Sequence, residues 1–397
     1  MRICHIITRL IIGGAQENTL LTCEGLHQRG HEVLLLTGPE TGPEGSLHAR
    51  AHRGGYRVEV VPSLRRAVHP LRDWLARREL ARRLRSWTPD VVHTHSSKAG
   101  VLGRLAARDA GVPFVVHTVH GMSFNRTQSA PVRRVFRALE RHCAERTDRI
   151  VSVADAMTKQ CLAHGVGRAD QYVTIYSGME VERYDPGKAD REAVRSACKV
   201  GDRMIVVGTI ARLSANKGYE QLLQAIPTAV ARENRLRFVW VGGGPLFAHY
   251  QTVLHRMGLA DRVVLTGLVQ PEEIPGVIAA MDILVHASQW EGLPRAVVQA
   301  LLMERPAVGF DIDGTPEVIL PGHTGELVPL NDTRALADQM VRLAGDPVLR
   351  QRYGQAGRKR CLDQFDHRRM VDRIEGLYQS MVRSSGCGRG TACDVSR

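Results

Sequence analysis

Two stretches in the second half of the chain combine residue types and spacings that suit an anionic, hydroxyl-bearing ligand. In Ala211-Arg212-Leu213-Ser214-Ala215-Asn216-Lys217-Gly218, two fixed positive charges share one short loop. Arginine offers a planar fork and lysine a mobile point charge, a pairing that fits the two phosphates of a nucleoside diphosphate. In Ser288-Gln289-Trp290-Glu291-Gly292-Leu293-Pro294-Arg295, a glycine precedes a proline at what reads as the first position of a helix. Gly292 lets a ligand approach the backbone, Pro294 gives up no helical hydrogen bond there, and the N–H groups of the Gly292-Leu293-Pro294-Arg295 turn, with the helix dipole, favour phosphate. Glu291 stands just outside that helix start and Gln299 about one and a half turns inside it, where both can read hydroxyls beside the anion. Taken alone, the same residues also describe a helix cap with a solvated Glu and a surface Gln.

Further turns follow the same logic. Gly243 and Gly244 sit in Val241-Gly242-Gly243-Gly244-Pro245, and Gly267 and Leu268 in Thr266-Gly267-Leu268-Val269, each where a strand gives way to a helix or loop. In the first half, Gly13-Gly14 separates an apolar strand from an amphipathic helix, and Lys98 follows a serine pair at a helix start, where a phosphate of an anionic acceptor would bind. His120 lies just past a strand end in His117-Thr118-Val119-His120-Gly121. His93, His95, His117 and His120 invite a zinc reading, but no nearby carboxylate completes a usual open site, so no metal is expected.

The elements that must position these residues are legible in the hydrophobic pattern. Short Val/Ile/Leu runs alternate with amphipathic stretches, the mark of parallel α/β sheets. Strands are expected over 3–7, 32–37, 57–61, 91–94, 114–118, 150–153 and 173–175, with helices over 16–29, 71–87, 101–110, 132–145 and 157–164. Around 177–190 the pattern breaks into a turn-rich stretch, then restarts with strands over 204–210, 238–241, 263–266, 283–287, 307–310 and 326–328. The expected organisation is a Rossmann-like domain over 1–180, a linker over 181–200 and a second Rossmann-like domain over 201–365. A helix over 366–383, which includes an amphipathic stretch over 369–381, would return to the first domain, and a disordered tail over 384–397 would follow. Ligands of doubly wound folds bind at the carboxyl ends of strands, so two facing sheets would place the site in the cleft between them.

The Arg-x4-Lys loop, the glycine turn, the Gly267-Leu268 turn and the Glu291 segment occur in that order, and there the chain resembles the retaining family 4 glycosyltransferases of GT-B fold. Their signature is a Glu-x7-Glu pair; this chain keeps Glu291 and has Gln299 at the second place. The resemblance implies that Arg212 and Lys217 neutralise a leaving diphosphate, helped by the backbone at Gly14. It further implies that Glu291 and His120 orient the donor sugar, that Gln299 meets the ribose, and that Gly267 and Leu268 seat the base. It implies retention at the anomeric carbon and no cofactor beyond the nucleoside-diphosphate sugar as co-substrate. The first domain would take the acceptor, with a lipid-linked saccharide of cell-surface polysaccharide assembly as the suggested class. A nucleotide-sugar epimerase, a phosphorylase on the same architecture and a non-catalytic nucleotide-sugar-binding scaffold at the membrane are the alternatives.

Composition bounds the rest. A chain of 397 residues suggests two domains of ordinary size. Arg9 interrupts the first apolar run and no stretch reaches the roughly 20 apolar residues of a membrane span, so a cytoplasmic protein is expected. Eight scattered cysteines without paired metal spacing suit a reducing compartment. The net charge of +13 is concentrated in the first half, with 26 Lys+Arg against 16 Asp+Glu through residue 180 and 28 against 25 beyond it. Its densest runs, from Arg65-Arg66 to Arg85 and from Arg133 to Arg146, are amphipathic stretches of the kind that dock on anionic lipid at the inner face of a membrane; taken singly, each equally describes an apolar face turned to the core with solvated arginines outside. Basicity alone does not argue for nucleic acid, because no recognition-helix, zinc-spacing or RNA-reading motif accompanies it.

Overall fold

A computed structural model describes residues 1–39, 42, 44–124, 128–197, 200–201 and 203–387. The chain forms two compact units, one comprising Met1–Val153, Met157–Gly178 and the chain from His367 on, the other Ala154–Ala156 and Met179–Asp366.

The first unit is built on seven strands: β1 (Arg2–Ile7), β2 (Glu32–Thr37), β3 (Arg57–Val60), β4 (Val91–His95), β5 (Phe114–Val119), β6 (Arg149–Ser152) and β7 (Tyr172–Thr174). They pair in parallel in the order β3-β2-β1-β4-β5-β6-β7. The helices are α1 (Gly14–Gln28), α2 (His48–Arg53), α3 (Pro70–Trp87), α4 (Ser97–Asp109), α5 (Ala130–Ala144) and α6 (Asp155–Ala163). Alternation along β1 sends Ile3 and Ile7 into one apolar layer and Cys4 and Ile6 into the other, so both faces of the sheet are covered.

The second unit begins with α7 (Arg191–Ala197) and continues as β8 (Ile205–Ile210), α8 (Tyr219–Arg232), β9 (Leu236–Val241), α9 (Phe247–Arg256) and β10 (Val263–Gly267). It is completed by α10 (Ile274–Ala280), β11 (Ile283–His286), α11 (Arg295–Leu302), β12 (Ala307–Phe310), β13 (Gly325–Val328), α12 (Thr333–Gly345) and α13 (Pro347–Gln364). The sheet is again parallel, in the order β10-β9-β8-β11-β12-β13. The last helix, α14 (His367–Cys387), places Met370, Val371, Ile374, Tyr378 and Met381 in a core layer of the first unit.

Each strand expected from the hydrophobic runs is present. The segment expected as a linker over 181–200 instead folds onto the second unit in its described part. Arg191 and Arg195 lie 2.7 and 3.3 Å from the two carboxylate oxygens of Asp282, which also accepts from the Val206 amide at 2.7 Å. Arg195 further donates to the carbonyls of Gly201 and Met204. These contacts fasten α7 to the starts of β8 and β11. Helix α14 runs to Cys387, four residues into the stretch expected as tail; residues 388–397 lie outside those described. Cys4, Cys23, Cys143, Cys161 and Cys361 are buried free thiols. Among the described residues no helix is long and apolar enough to cross a membrane.

Candidate functional site

In the second unit the strand order reverses between β8 and β11, and the crevice outside the carboxyl ends of such a strand pair is where open α/β sheets bind ligands. The loop after β8 carries Arg212 and Lys217; the loop after β11 carries Glu291. Lys217 Nζ donates to Glu291 Oε1 at 2.6 Å, and His286 Nε2 lies 3.3 Å from the same oxygen. Burial alone would raise the Glu291 pKa; the Lys217 ammonium and the His286 ring outweigh it and hold the carboxyl well below the usual carboxylate range. The loop can lie this close because of Gly218: at φ +83, a Cβ there would fall 1.9 Å from the Ala287 carbonyl oxygen. The Gln289 amide donates to the Asn216 carbonyl at 2.9 Å, joining the two loops, and the Glu291 amide donates to Asp313 Oδ2 at 2.8 Å.

Helix α11 opens this crevice to an anion. Gly292, Leu293 and Pro294 are buried, and Pro294 is the N-cap, one place earlier than the sequence suggests, with its carbonyl accepting from Val297 at 3.0 Å. No side chain caps the helix, so its first N–H groups, which lack intrahelical acceptors, are aimed at the turn. Gly314 permits close approach from the far side: a Cβ there would lie 2.0 Å from the Gly292 carbonyl oxygen. Gln299 Nε2 donates to the Tyr184 hydroxyl at 2.7 Å, so the segment expected as a linker supplies this residue's partner. The glycine turn is joined to the cationic loop by a Leu213 N–H bond to the Gly243 carbonyl at 2.9 Å, and the Gly244 carbonyl accepts from Phe247. The Gly242 amide reaches the Gly267 carbonyl at 3.0 Å, and next to it Leu268 is 43% exposed, an apolar surface at a strand end.

In the first unit the order reverses between β1 and β4. Gly13 is the N-cap and Gly14 the first residue of α1, again without a capping side chain. His120 follows β5 and lines a cavity of about 270 Å³ together with Ser96, Ser97, Arg104, Phe124 and Glu140. Arg104 is buried there, donating to Glu140 Oε2 at 2.7 Å and to the Gly100 carbonyl at 2.7 Å. Lys98 differs from expectation. Its ammonium donates to Asp73 Oδ2 at 2.6 Å and to the Ala67 carbonyl at 2.9 Å, tying α4 to the start of α3, and an acceptor phosphate would have to displace that carboxylate.

The histidines are hydrogen-bonded to one another and to hydroxyls. His5 Nδ1 lies 2.9 Å from His95 Nε2, and His95 Nδ1 lies 3.1 Å from His120 Nε2. His93 Nε2 meets Thr118 Oγ1 at 2.6 Å and its Nδ1 meets the Tyr378 hydroxyl; His117 Nδ1 meets Thr94 Oγ1 at 2.9 Å. Burial holds His5 down at about 3 and pushes His93, His95 and His117 well below the ordinary histidine value, so all four are neutral. The ligand atoms of His5, His93 and His95 fall within 4.8 Å of one another, but the 2.9 Å separation between the first and last is that of a hydrogen bond. Sequence reasoning missed His5, Tyr184, Gly218, His286 and Asp313. Of these, only Gly218 carried a local signal, as the glycine closing the cationic loop.

Residues 13–178 match the family model described as glycosyl transferase 4-like domain, and residues 204–346 the model described as glycosyl transferases group 1. The chain is 30% identical over 390 residues to the UDP-Gal:alpha-D-GlcNAc-diphosphoundecaprenol alpha-1,3-galactosyltransferase of Escherichia coli, covering 96% of this chain and 97% of that one. It is 30% identical over 356 residues to a GDP-mannose-dependent alpha-mannosyltransferase of Mycobacterium tuberculosis, covering 88% and 89%. The crystal structure of Anabaena HepE in complex with UDP-glucose superposes with a TM-score of 0.81 at 21% identity, over 96% of this chain and all of that one (100%).

Proposed function

The chain belongs to the group 1, 4-like glycosyltransferases of GT-B fold, and from that premise we propose that it moves a hexose from a nucleoside-diphosphate sugar to a saccharide hydroxyl on a lipid carrier, with retention. The observation that carries the reading is the convergence of Arg212, the Lys217–Glu291 pair and the uncapped start of α11 at one strand-order reversal. The acceptor class is supported by the diphosphoundecaprenol-linked substrate named for the E. coli relative.

The reaction breaks the bond between the anomeric carbon and the diphosphate oxygen and forms one from the acceptor oxygen to the same carbon. Arg212, Lys217 and the α11 amides take up the negative charge that grows on the departing diphosphate. Lys217 reaches the phosphates by exchanging its bond to Glu291 for one to the anion, which frees the Glu291 carboxylate to accept from a sugar hydroxyl. His120 orients the sugar, Gln299 offers its amide oxygen to the ribose, and Leu268 packs on the base. No side chain is assigned as covalent nucleophile. The acceptor approaches the face the diphosphate leaves, and its proton passes to the departing phosphate oxygen.

The cavity beside His120 in the first unit suits the acceptor saccharide, with the Arg104–Glu140 pair as its polar wall. Attachment to anionic lipid goes through α5. Val132, Val135 and Leu139 are exposed there at helical spacing, and the neighbouring Arg133 and Arg134 form no ion pair among the described residues. Helix α3 suits this less well, since Arg77 is held by Asp109 and Arg83 by Glu59 and Glu79. The test is a donor panel (UDP-galactose, UDP-glucose, GDP-mannose) scored for nucleotide release with and without a diphosphoprenol-linked saccharide, with product anomers read by NMR. Acceptor-dependent release with an unchanged anomer is expected. An inverted anomer refutes retention, and release with no acceptor dependence refutes transfer to a saccharide.

A further inference from the structure

The buried histidines behind His120 form a directional relay. His5 on β1 is register-paired with His93 on β4, and strand alternation puts His95 on the same face two residues on. This brings His5, His95 and His120 into one line of hydrogen bonds, 2.9 and 3.1 Å long. A neutral imidazole has one ring proton, so each of the two bonds receives its proton from one side only. Two arrangements satisfy the line. In one, His5 Nδ1–H donates to His95 Nε2 and His95 Nδ1–H donates to His120 Nε2. In the other, every proton is reversed and His5 carries its hydrogen on Nε2.

The far end of the line chooses between them. His5 Nε2 is fully buried and has no hydrogen-bond partner. Orphaned buried N–H donors are rarer than under-used acceptors, so this atom is the bare lone pair and the line runs outward from His5. We infer that His95, oriented by His5, is a positioning residue that fixes His120 as the Nδ1–H tautomer and keeps it neutral. A second proton on His120 would have to go onto Nε2, which already faces the N–H of His95. His93 is occupied by Thr118 and Tyr378, His117 by Thr94, and Arg104 by Glu140 and the Gly100 carbonyl. The inference rests on His120 being the sugar-orienting residue, and it gives that residue a specific chemistry. A neutral N–H orients a hydroxyl without placing a cation beside an anomeric carbon that itself becomes positive as the diphosphate departs.

Full-length protein labelled with 15N-histidine tests this by long-range proton–nitrogen correlation between about pH 8 and pH 6, with His120 assigned by loss of its signals in H120N. At pH 6 an ordinary histidine, with pKa about 6.5, is roughly three-quarters doubly protonated. His120 in the native protein should instead show the Nδ1–H pattern throughout. In H95F it should acquire its second proton in the ordinary range, and kcat should fall about tenfold with little change in donor KM, the scale of removing a ring's orienting partner. H5N should preserve both the tautomer and kcat, because an asparagine amide nitrogen donates where Nδ1 did. An Nε2–H pattern in the native protein, ordinary titration of His120, or H5N behaving like H95F overturns the relay. If H95F does not fold, the native spectrum and H5N still decide it. Since the spectrum does not depend on turnover, a protein inactive with every donor refutes the transfer reading while the tautomer remains measurable.

Discussion

Acidification should unfold the first unit before the second. His5, His93, His95 and His117 are buried and neutral in the folded state, with His5 held near 3 and the others well below the ordinary value, whereas in the unfolded chain each takes a proton around pH 6.5. For a histidine whose folded pKa is depressed, stability is complete above the unfolded pKa and declines as pH falls below it, because only the unfolded state gains protons. One group contributes about 1.4 kcal/mol of loss by pH 5.5, so four contribute about 6 kcal/mol, against a domain stability of roughly 5–15 kcal/mol. Carboxylates do not offset this in the window from pH 7.5 to 5.5, since they titrate around pH 4. The strands of the second unit carry a single histidine, His286, and provide the internal reference. Native-state hydrogen exchange of the β1, β4 and β5 amides, corrected for intrinsic rates and compared with β8, β9 and β12, measures the difference. His117→Gln should reduce the pH slope of the first unit by about a quarter. A loss below about 1.5 kcal/mol between pH 7.5 and 5.5, or an equal loss in both sheets, would refute the reasoning.

Three further outcomes are expected. Lys217→Ala and Arg212→Ala should each weaken binding of free nucleoside diphosphate at least tenfold, the roughly 1.5–3 kcal/mol scale of a charged hydrogen bond, whereas Glu291→Gln should leave that affinity equal or tighter while transfer collapses, because Lys217 loses its competing carboxylate; calorimetry with the diphosphate and a transfer assay separate the two. Gln299→Glu exchanges an amide donor for a carboxylate that accepts from the Tyr184 hydroxyl, so donor affinity should move by only about 1 kcal/mol, and a complete loss of turnover would show that the amide is required. Charge reversal at Arg133 and Arg134 should abolish salt-sensitive sedimentation with anionic vesicles, whereas reversal at Arg77 and Arg83 should weaken it less, and the opposite ranking would move the docking face to α3.

The strands were legible because burial on both faces demands continuous apolar runs, and Val263, Ile283 or Ala307 mark their starts without help from the rest of the chain. Helix α13 was not legible for the opposite reason. Its buried face intersperses Leu349, Tyr353 and Cys361 with glycines, Gly354 where a Cβ would sit 2.2 Å from the Glu304 carbonyl oxygen and Gly357 against Leu301, so its apolar stripe is too sparse to stand out. The Arg191 and Arg195 segment looked like a linker because its anchoring is ionic, to an aspartate 91 and 87 residues away, and local composition says nothing of such a partner.

The same division runs through the candidate site. Arg212, Lys217, Gly292 and Glu291 could be found because each owes its place to a strand end and a turn, both of which are local. The groups that set their chemistry could not. Lys98 reads as a phosphate ligand until Asp73 is beside it, and Gln299 reads as a free amide until the Tyr184 hydroxyl accepts a hydrogen bond from its nitrogen and leaves its oxygen to face a ribose. His5 carries no local sign of its role, because its meaning depends on the pairing of β1 with β4, which puts it behind His95. A buried polar side chain left unpaired is costly, and for these histidines the partners lie on other strands, on α14 and just past β5. The histidines on these strands are therefore where sequence alone marks an unresolved demand: His5, His93, His95 and His117 in strands otherwise rich in Ile and Val could only be satisfied by one another and by hydroxyls, and the relay behind His120 is the form that satisfaction takes.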